Sequence, residues 1–192
     1  MANKKSIKIT FNAPVVLGFS LCCVAALVLN LLTGGASNRL VFSTYHSSLA
    51  NILTYIRFFT HVLGHSGWAH LTGNMVYILL LGPMLEEKYG SNRILEVIAA
   101  TALATGLVNW FLFPGVVLCG ASGVCFAFIL LSSFAGVKKG EIPVTFILIA
   151  VIYLGQQVLD GIFIANNISN MAHIVGGIVG ALFGFMLTRS GK

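Results

Sequence analysis

Six apolar runs, each closed by a short polar break, constrain this chain more than any other feature. They occupy residues 13–32, 69–85, 94–113, 121–137, 142–159 and 171–187. A helix needs about 20 apolar residues to cross a hydrocarbon core roughly 30 Å thick. The charge count agrees: 8% of the 192 residues are charged and 57% are hydrophobic, where a soluble domain carries about 25% charged. A surface so poor in charge has lipid as its solvent. The expected fold class is therefore all-α, a polytopic membrane protein with a six-transmembrane-helix bundle over 13–188. A basic cytoplasmic tail (1–12) and a short cytoplasmic C-terminal tail (189–192) flank it, with no soluble domain and no repeat. The first run is too long for a signal-peptide core and is followed by more spans, so it is read as retained.

The net charge of +6 does not signal nucleic acid, because the basic residues sit in small clusters between apolar runs. Their distribution gives an orientation instead. The N-terminal tail, the 86–93 and 138–141 loops and the C-terminus hold nine of the eleven Lys and Arg. The 34–68 connection holds only Arg39 and Arg57, and the 114–120 and 161–170 loops hold none. Basic loops stay on the cytoplasmic side. Both termini are expected there, and the poorly charged connections outside. Cys22, Cys23, Cys119 and Cys125 lie in or beside apolar runs without metal-ligand spacing and read as free thiols.

In the long first connection, Leu49, Ile52, Leu53, Ile56 and Phe59 recur at helical spacing, with Ser48, Asn51 and Thr54 between them. This predicts an interfacial amphipathic helix; packing on protein alone is the alternative.

Polar groups in lipid call for a functional explanation. His70 opens the second run and Asn74 follows one turn later on the same face. Ser122 opens the fourth, within Gly120-Ala121-Ser122-Gly123, and His173 opens the sixth. By topology all four enter from the outer side at similar depth. A serine in that position also suits a helix cap, so the tetrapeptide alone does not decide. The glycines bear on which helices touch. Gly176, Gly180 and Gly184 recur every four residues below His173, while Gly123 and Ala127 lie below Ser122. Small-residue stripes let transmembrane helices approach closely. Packing these two together would set His173 beside Ser122; the bland reading has glycines that only pack and a histidine that only caps. From Ser122 to Val137 the fourth run is about 24 Å long as a helix, short of the core, which would sink Ser122 below the outer surface. Irregular backbone at that depth needs protein or a water-filled cavity around it.

The ordered set His65, His70-x-x-x-Asn74, Glu86-x-x-x-Gly90, Gly120-x-Ser122-Gly123 and Ala172-His173-x-x-Gly176 with Gly180 resembles the rhomboid intramembrane serine proteases, of the bacterial GlpG type, over residues 56–185. The resemblance implies a rhomboid bundle with an interfacial helical loop between helices 1 and 2. It implies a Ser122–His173 catalytic dyad without an acid, and an oxyanion site that includes His70 and Asn74. His65, Phe126, Gly120, Gly123, Gly176 and Gly180 are then structural residues near the site. Two positions depart from the family pattern: Ile56 stands where tryptophan is usual, and Phe126 where many members carry tyrosine against the catalytic histidine. The implied location is the bacterial inner membrane, with the site opening outward. The implied partners are lipid and single-pass transmembrane substrates, with no cofactor, no metal and no nucleic acid.

The residues themselves assign His65 to bracing the first loop, His46 and His61 to the interface, and Glu86 to structure near the inner end of its helix. The fifth run, with Phe146, Ile149, Tyr153 and Leu154, is the expected gate. A non-catalytic rhomboid-like escort is one alternative, although such relatives usually lack the serine or the histidine. A zinc protease built on His61, His65 and His70 would need a His-Glu-x-x-His motif or an acidic ligand. A transporter would place its polar groups near mid-membrane.

Overall fold

The computed structural model describes residues 10–138, 141–155, 159 and 167–189. Most of both expected tails, the 161–166 part of the last outer loop, Asp160 and the side chains of Tyr153 and Leu154 lie outside the described residues. The fold is an all-α bundle. Among the described residues the sole β-type pairing is an isolated bridge between Thr44 and Leu118. The elements are α1 (Pro14–Leu32), α2 (Ala36–Leu40), α3 (Ile52–Thr60) continued by a 3-10 turn (His61–Leu63), α4 (Trp68–Tyr89), α5 (Ser91–Leu112), α6 (Ser122–Ser132), α7 (Val144–Ile149) continued by a π-helical turn (Ala150–Leu154), and α8 (Asn167–Arg189).

Three helical stretches among the described residues are long and apolar enough to cross a membrane: Pro14–Leu32, Ser91–Leu112 and Asn170–Arg189. Helix α4 has the length, but His70, Thr72 and Asn74 dilute its apolar character. Large apolar side chains face outward on α1 (Leu21, Leu32), α4 (Val76, Leu80), α5 (Leu95, Phe111) and α8 (Leu182, Met186). So much exposed hydrocarbon is tolerable only in lipid.

Helix α1 begins with Pro14 at its first position, where a missing N–H costs nothing. The N–H groups of Val15 and Val16 donate to the Glu86 carboxylate at 3.0 and 2.9 Å, and the Ser91 hydroxyl donates to it at 2.6 Å. Glu86 thus caps α1 rather than its own helix, and its charge sits at the positive end of the α1 dipole. It fastens α1, α4 and α5 at the end of α4 remote from His70. Gly90, at φ +86°, makes the one-residue turn from α4 into α5.

Two expected boundaries move. Helix α6 has 11 residues and ends at Ser132, although the apolar run continues to 137. The Ser132 and Ser133 hydroxyls donate back to the carbonyls of Ile129 and Leu130, which offers the backbone an alternative to continuing the helix. Phe134 then turns inward, 1% exposed, onto Phe146 and Phe185. At ~1.5 Å per residue α6 is only about 16 Å long. Helix α8 starts at Asn167, four residues before its apolar run. His173 therefore does not open the helix; it lies about 9 Å along the axis from its start.

Helix α6 is the core of the bundle. Val124, Ala127, Phe128, Leu130 and Leu131 are fully buried. Its packing against α8 is the most extensive in the described structure. A side chain at Gly176 would overlap the Gly123 backbone, one at Gly180 the Ala127 backbone, and one at Gly184 the Phe134 ring.

Helix α3 presents Ile52, Tyr55, Ile56 and Phe59 outward and buries Thr54, Arg57 and Phe58. Its apolar face is free of protein, as an interfacial helix requires. Its other face packs Phe58 edge-on to Trp110 of α5. The buried Arg57 guanidinium organises the loop before it. It donates to Tyr45 Oη (2.9 Å), Ser47 Oγ (3.0 Å), Thr54 Oγ1 (3.4 Å) and the Leu40 carbonyl (3.4 Å), and lies over the Tyr45 ring.

Candidate active site

Three helices that are distant in sequence meet at one cavity of about 250 Å³. Helix α4 supplies Gly73, Asn74 and Tyr77, α6 supplies Ser122, Cys125, Phe126 and Ile129, and α8 supplies His173. The glycine seam explains the meeting. Gly123 lies against the Ala172 carbonyl, with Thr101 and Thr105 behind it, so the next residues of each strand of the seam, Ser122 and His173, border the same space. The imidazole of His173 stacks on Phe126, with ring centroids 4.3 Å apart and planes 11° from parallel. The phenyl ring does not need a hydroxyl to fix that plane.

The segment entering α6 is held from both sides. Thr44 and Leu118 exchange two backbone hydrogen bonds of 2.9 Å, and the Gly120 N–H donates to the His61 carbonyl at 3.0 Å. Asn109 Nδ2 donates to the carbonyls of Thr44 and Val116. Gly120 has φ +128°, and any side chain there would strike His70 Nε2. Both observations require glycine. His70 Nε2 and Asn74 Nδ2 thus converge on Gly120, two residues before Ser122.

Hydrogen bonds fix which atoms of these two side chains can donate. The Ser66 N–H donates to His70 Nδ1 at 3.4 Å. A backbone N–H can only donate, so Nδ1 carries the lone pair and the neutral ring carries its proton on Nε2, the atom beside Gly120. His65 Nδ1 faces the Leu63 carbonyl at 3.0 Å, which can only accept. Its proton is therefore on Nδ1, and Nε2 accepts from Asn74 Nδ2 at 3.0 Å. Burial, with His70 adding to it, pushes the His65 imidazole down to about 4, so this tautomer holds at neutral pH. The other face of the Asn74 amide is held by Cys125, whose thiol points at Asn74 Oδ1 (3.7 Å) and the Asn74 carbonyl (3.4 Å). One Asn74 amide proton stays uncommitted by these contacts.

The sequence-predicted residues therefore assemble as follows. Ser122, His173, Asn74 and Phe126 line the cavity, His70 meets Gly120 next to Asn74, His65 stands behind Asn74, and Gly123, Gly176 and Gly180 form the seam. His65 does more than brace the first loop, since it orients Asn74. His61 is not interfacial: it is 1% exposed and bridges the Arg57 carbonyl and Thr105 of α5. His46 is exposed and stacks on Trp110. Cys125, Tyr77, Ile129 and Gly73 were not singled out from sequence. The signal for Cys125 was its position one turn after Ser122; the others carry no chemistry that would draw the eye. Among the described residues no group of three or more His, Cys, Asp or Glu is placed to hold a metal.

A family model described as the rhomboid domain matches residues 52–190, which include every site residue above. The chain belongs to the rhomboid family. It is 26% identical over 181 residues to a protein of Serratia proteamaculans (strain 568) named Rhomboid protease GlpG, covering 92% of this chain and 63% of that one. It is 28% identical over 182 residues to proteins of the same name in Yersinia pestis (strain Pestoides F) and Yersinia pseudotuberculosis serotype O:3 (strain YPIII), covering 92% of this chain and 64% of each. This rhomboid chain thus spans a little under two thirds of the length of the curated relatives it matches. Rhomboid membership and the outward apolar surface make it a membrane protein.

Proposed function

We propose that this rhomboid chain is an intramembrane serine endopeptidase. It hydrolyses peptide bonds in or near the transmembrane segments of single-pass membrane proteins. The observation that carries the reading is the shared cavity. It sets a serine at a helix start beside a stacked histidine, with two oriented N–H donors converging on the glycine two residues before that serine. A serine hydroxyl attacks poorly until a base takes its proton. His173 accepts that proton and returns it to the leaving amine. The tetrahedral oxyanion is stabilised by the free Asn74 amide proton, the His70 Nε2–H and the Ser122 N–H, donors aimed where charge develops. Stacking on Phe126 and the tight seam with α6 hold His173 in place.

The charge asymmetry of the loops supports an orientation with both termini in the cytoplasm and the cavity opening to the outer side of the bacterial inner membrane. The 16 Å length of α6 supports a serine sunk below that surface. A stable transmembrane helix hides its carbonyls, so substrate must unwind locally to reach Ser122.

A serine-directed fluorophosphonate probe tests this. Labelling of the wild-type protein in detergent, abolished in Ser122→Ala and His173→Ala, is expected. Equal labelling of wild type and Ser122→Ala would remove the nucleophile and leave a non-catalytic rhomboid that binds membrane helices.

A further inference from the structure

At two places away from Ser122, a cavity presents an acid and a base together. In the turn from α4 into α5, beside a cavity of about 400 Å³, Arg93 and Glu96 pair with each other at 2.6 Å. The second cavity, of about 200 Å³, lies between the approach to α7 and the end of α8. Glu141 and Ile142 line it from one side, and Phe185, Thr188 and Arg189 from the other. Here neither the carboxylate nor the guanidinium has a salt-bridge partner among the described residues. Two opposite charges held apart across one cavity suit a ligand that carries both signs. A ligand with a single charge would satisfy one of them and be repelled by the other.

The position of this cavity says where such a ligand comes from. Arg189 is 16 residues beyond His173 on α8, or ~24 Å along the axis. That approaches the ~30 Å thickness of a hydrocarbon core, so the cavity sits at the membrane face remote from His173, at the depth of lipid headgroups. Its remaining walls are hydrocarbon. Ile142 and Phe185 are both exposed, and Phe185 is backed by Phe134 and Phe146.

We propose that this cavity binds a zwitterionic phospholipid with a primary ammonium headgroup, of the phosphatidylethanolamine type. Arg189 takes the phosphate, since its planar fork of N–H donors matches that group. Glu141 accepts from the ammonium. Ile142 and Phe185 receive the first methylenes of an acyl chain. The seated lipid ties the approach to α7 to the end of α8. A choline headgroup has no N–H to give Glu141, and a glycerol headgroup brings it no positive charge.

The test uses the full chain in dodecyl maltoside micelles, with dioleoyl phosphatidylethanolamine, phosphatidylcholine or phosphatidylglycerol added in turn. Native mass spectrometry reads the Kd of the first retained lipid. Exposed ion pairs are individually weak, so the expected selectivity is modest: wild type should hold the ethanolamine lipid at least threefold more tightly than either other lipid. Glu141→Gln should erase the preference over phosphatidylcholine. Arg189→Gln should weaken the ethanolamine and choline lipids together by at least threefold. Both side chains are exposed, so both variants should keep the wild-type Tm in lipid-free micelles, and either alone is decisive if the other unfolds. Equal Kd values for the three lipids in wild type would overturn the proposal. So would an ethanolamine preference that survives Glu141→Gln, or an ethanolamine-lipid Kd unmoved in Arg189→Gln. Tightest binding of phosphatidylglycerol would overturn it too, by assigning the cavity to an anionic lipid.

Discussion

At the residue scale, Asn74 is held from two sides, and each hold is separately testable. On the proposed protease reading, Asn74→Ala would remove one oxyanion donor, a loss of about 2.7–4 kcal/mol, or 10²–10³ in kcat. A kcat within twofold of wild type would take Asn74 out of the site. His65 touches the amide and not the cavity. His65→Ala should lower kcat by a smaller factor than Asn74→Ala, with KM little changed, because the donor is misaimed rather than lost. Little of this was legible in sequence. The motif names His70 and Asn74, but the His65–Asn74 bond is made through space across the turn into α4. Cys125 looked like one more thiol in an apolar run.

The same histidines set a pH dependence. Burial pushes both His61 and His65 from the usual 6.5 down to about 4. The unfolded chain therefore binds protons that the folded chain refuses. Stability is complete above about pH 6.5 and falls as pH drops from there toward 4. Thermal unfolding in detergent should show Tm declining across that window, and His65→Gln should flatten part of the decline. A Tm independent of pH between 6.5 and 4 would mean these rings are not buried as described.

At the element scale, the α6–α8 seam runs the length of α6, and the Glu86 clamp fastens α1, α4 and α5 at the end of α4 remote from His70. Gly180→Leu would drive a branched side chain into the Ala127 backbone. Overpacking of this kind costs about 1–3 kcal/mol or more. Lower Tm and lost activity together are expected; a wild-type Tm would show that the seam is not close-packed. Glu86→Ala would strand the Val15 and Val16 N–H groups at about 1–3 kcal/mol each where buried. That variant should lower Tm with kcat in the surviving folded fraction retained, since the clamp lies far from Ser122. The helices themselves were legible as apolar runs, and the seam as a four-residue glycine period. Their ends were not, because apolarity does not distinguish a helix from a folded-back cap. Phe134 stays apolar while it turns away from α6 onto Phe146 and Phe185. At α8 the helix extends into polar Asn167 and Asn170, which an apolarity criterion leaves out.

At the scale of the whole molecule, the bundle reconciles two solvents. Its outer surface is hydrocarbon suited to lipid, while a cavity bordered by Ser122, Asn74 and His173 opens beside the short, mostly buried α6. Hydrolysis inside a membrane requires that combination, with water and N–H donors admitted to one spot. The central claim is that Ser122 is the nucleophile there. The most direct measurement is cleavage of a single-pass transmembrane substrate by the purified chain reconstituted in liposomes, comparing wild type with Ser122→Ala at matched Tm. We expect turnover by wild type and none above background by the variant. Comparable turnover by both would contradict the account.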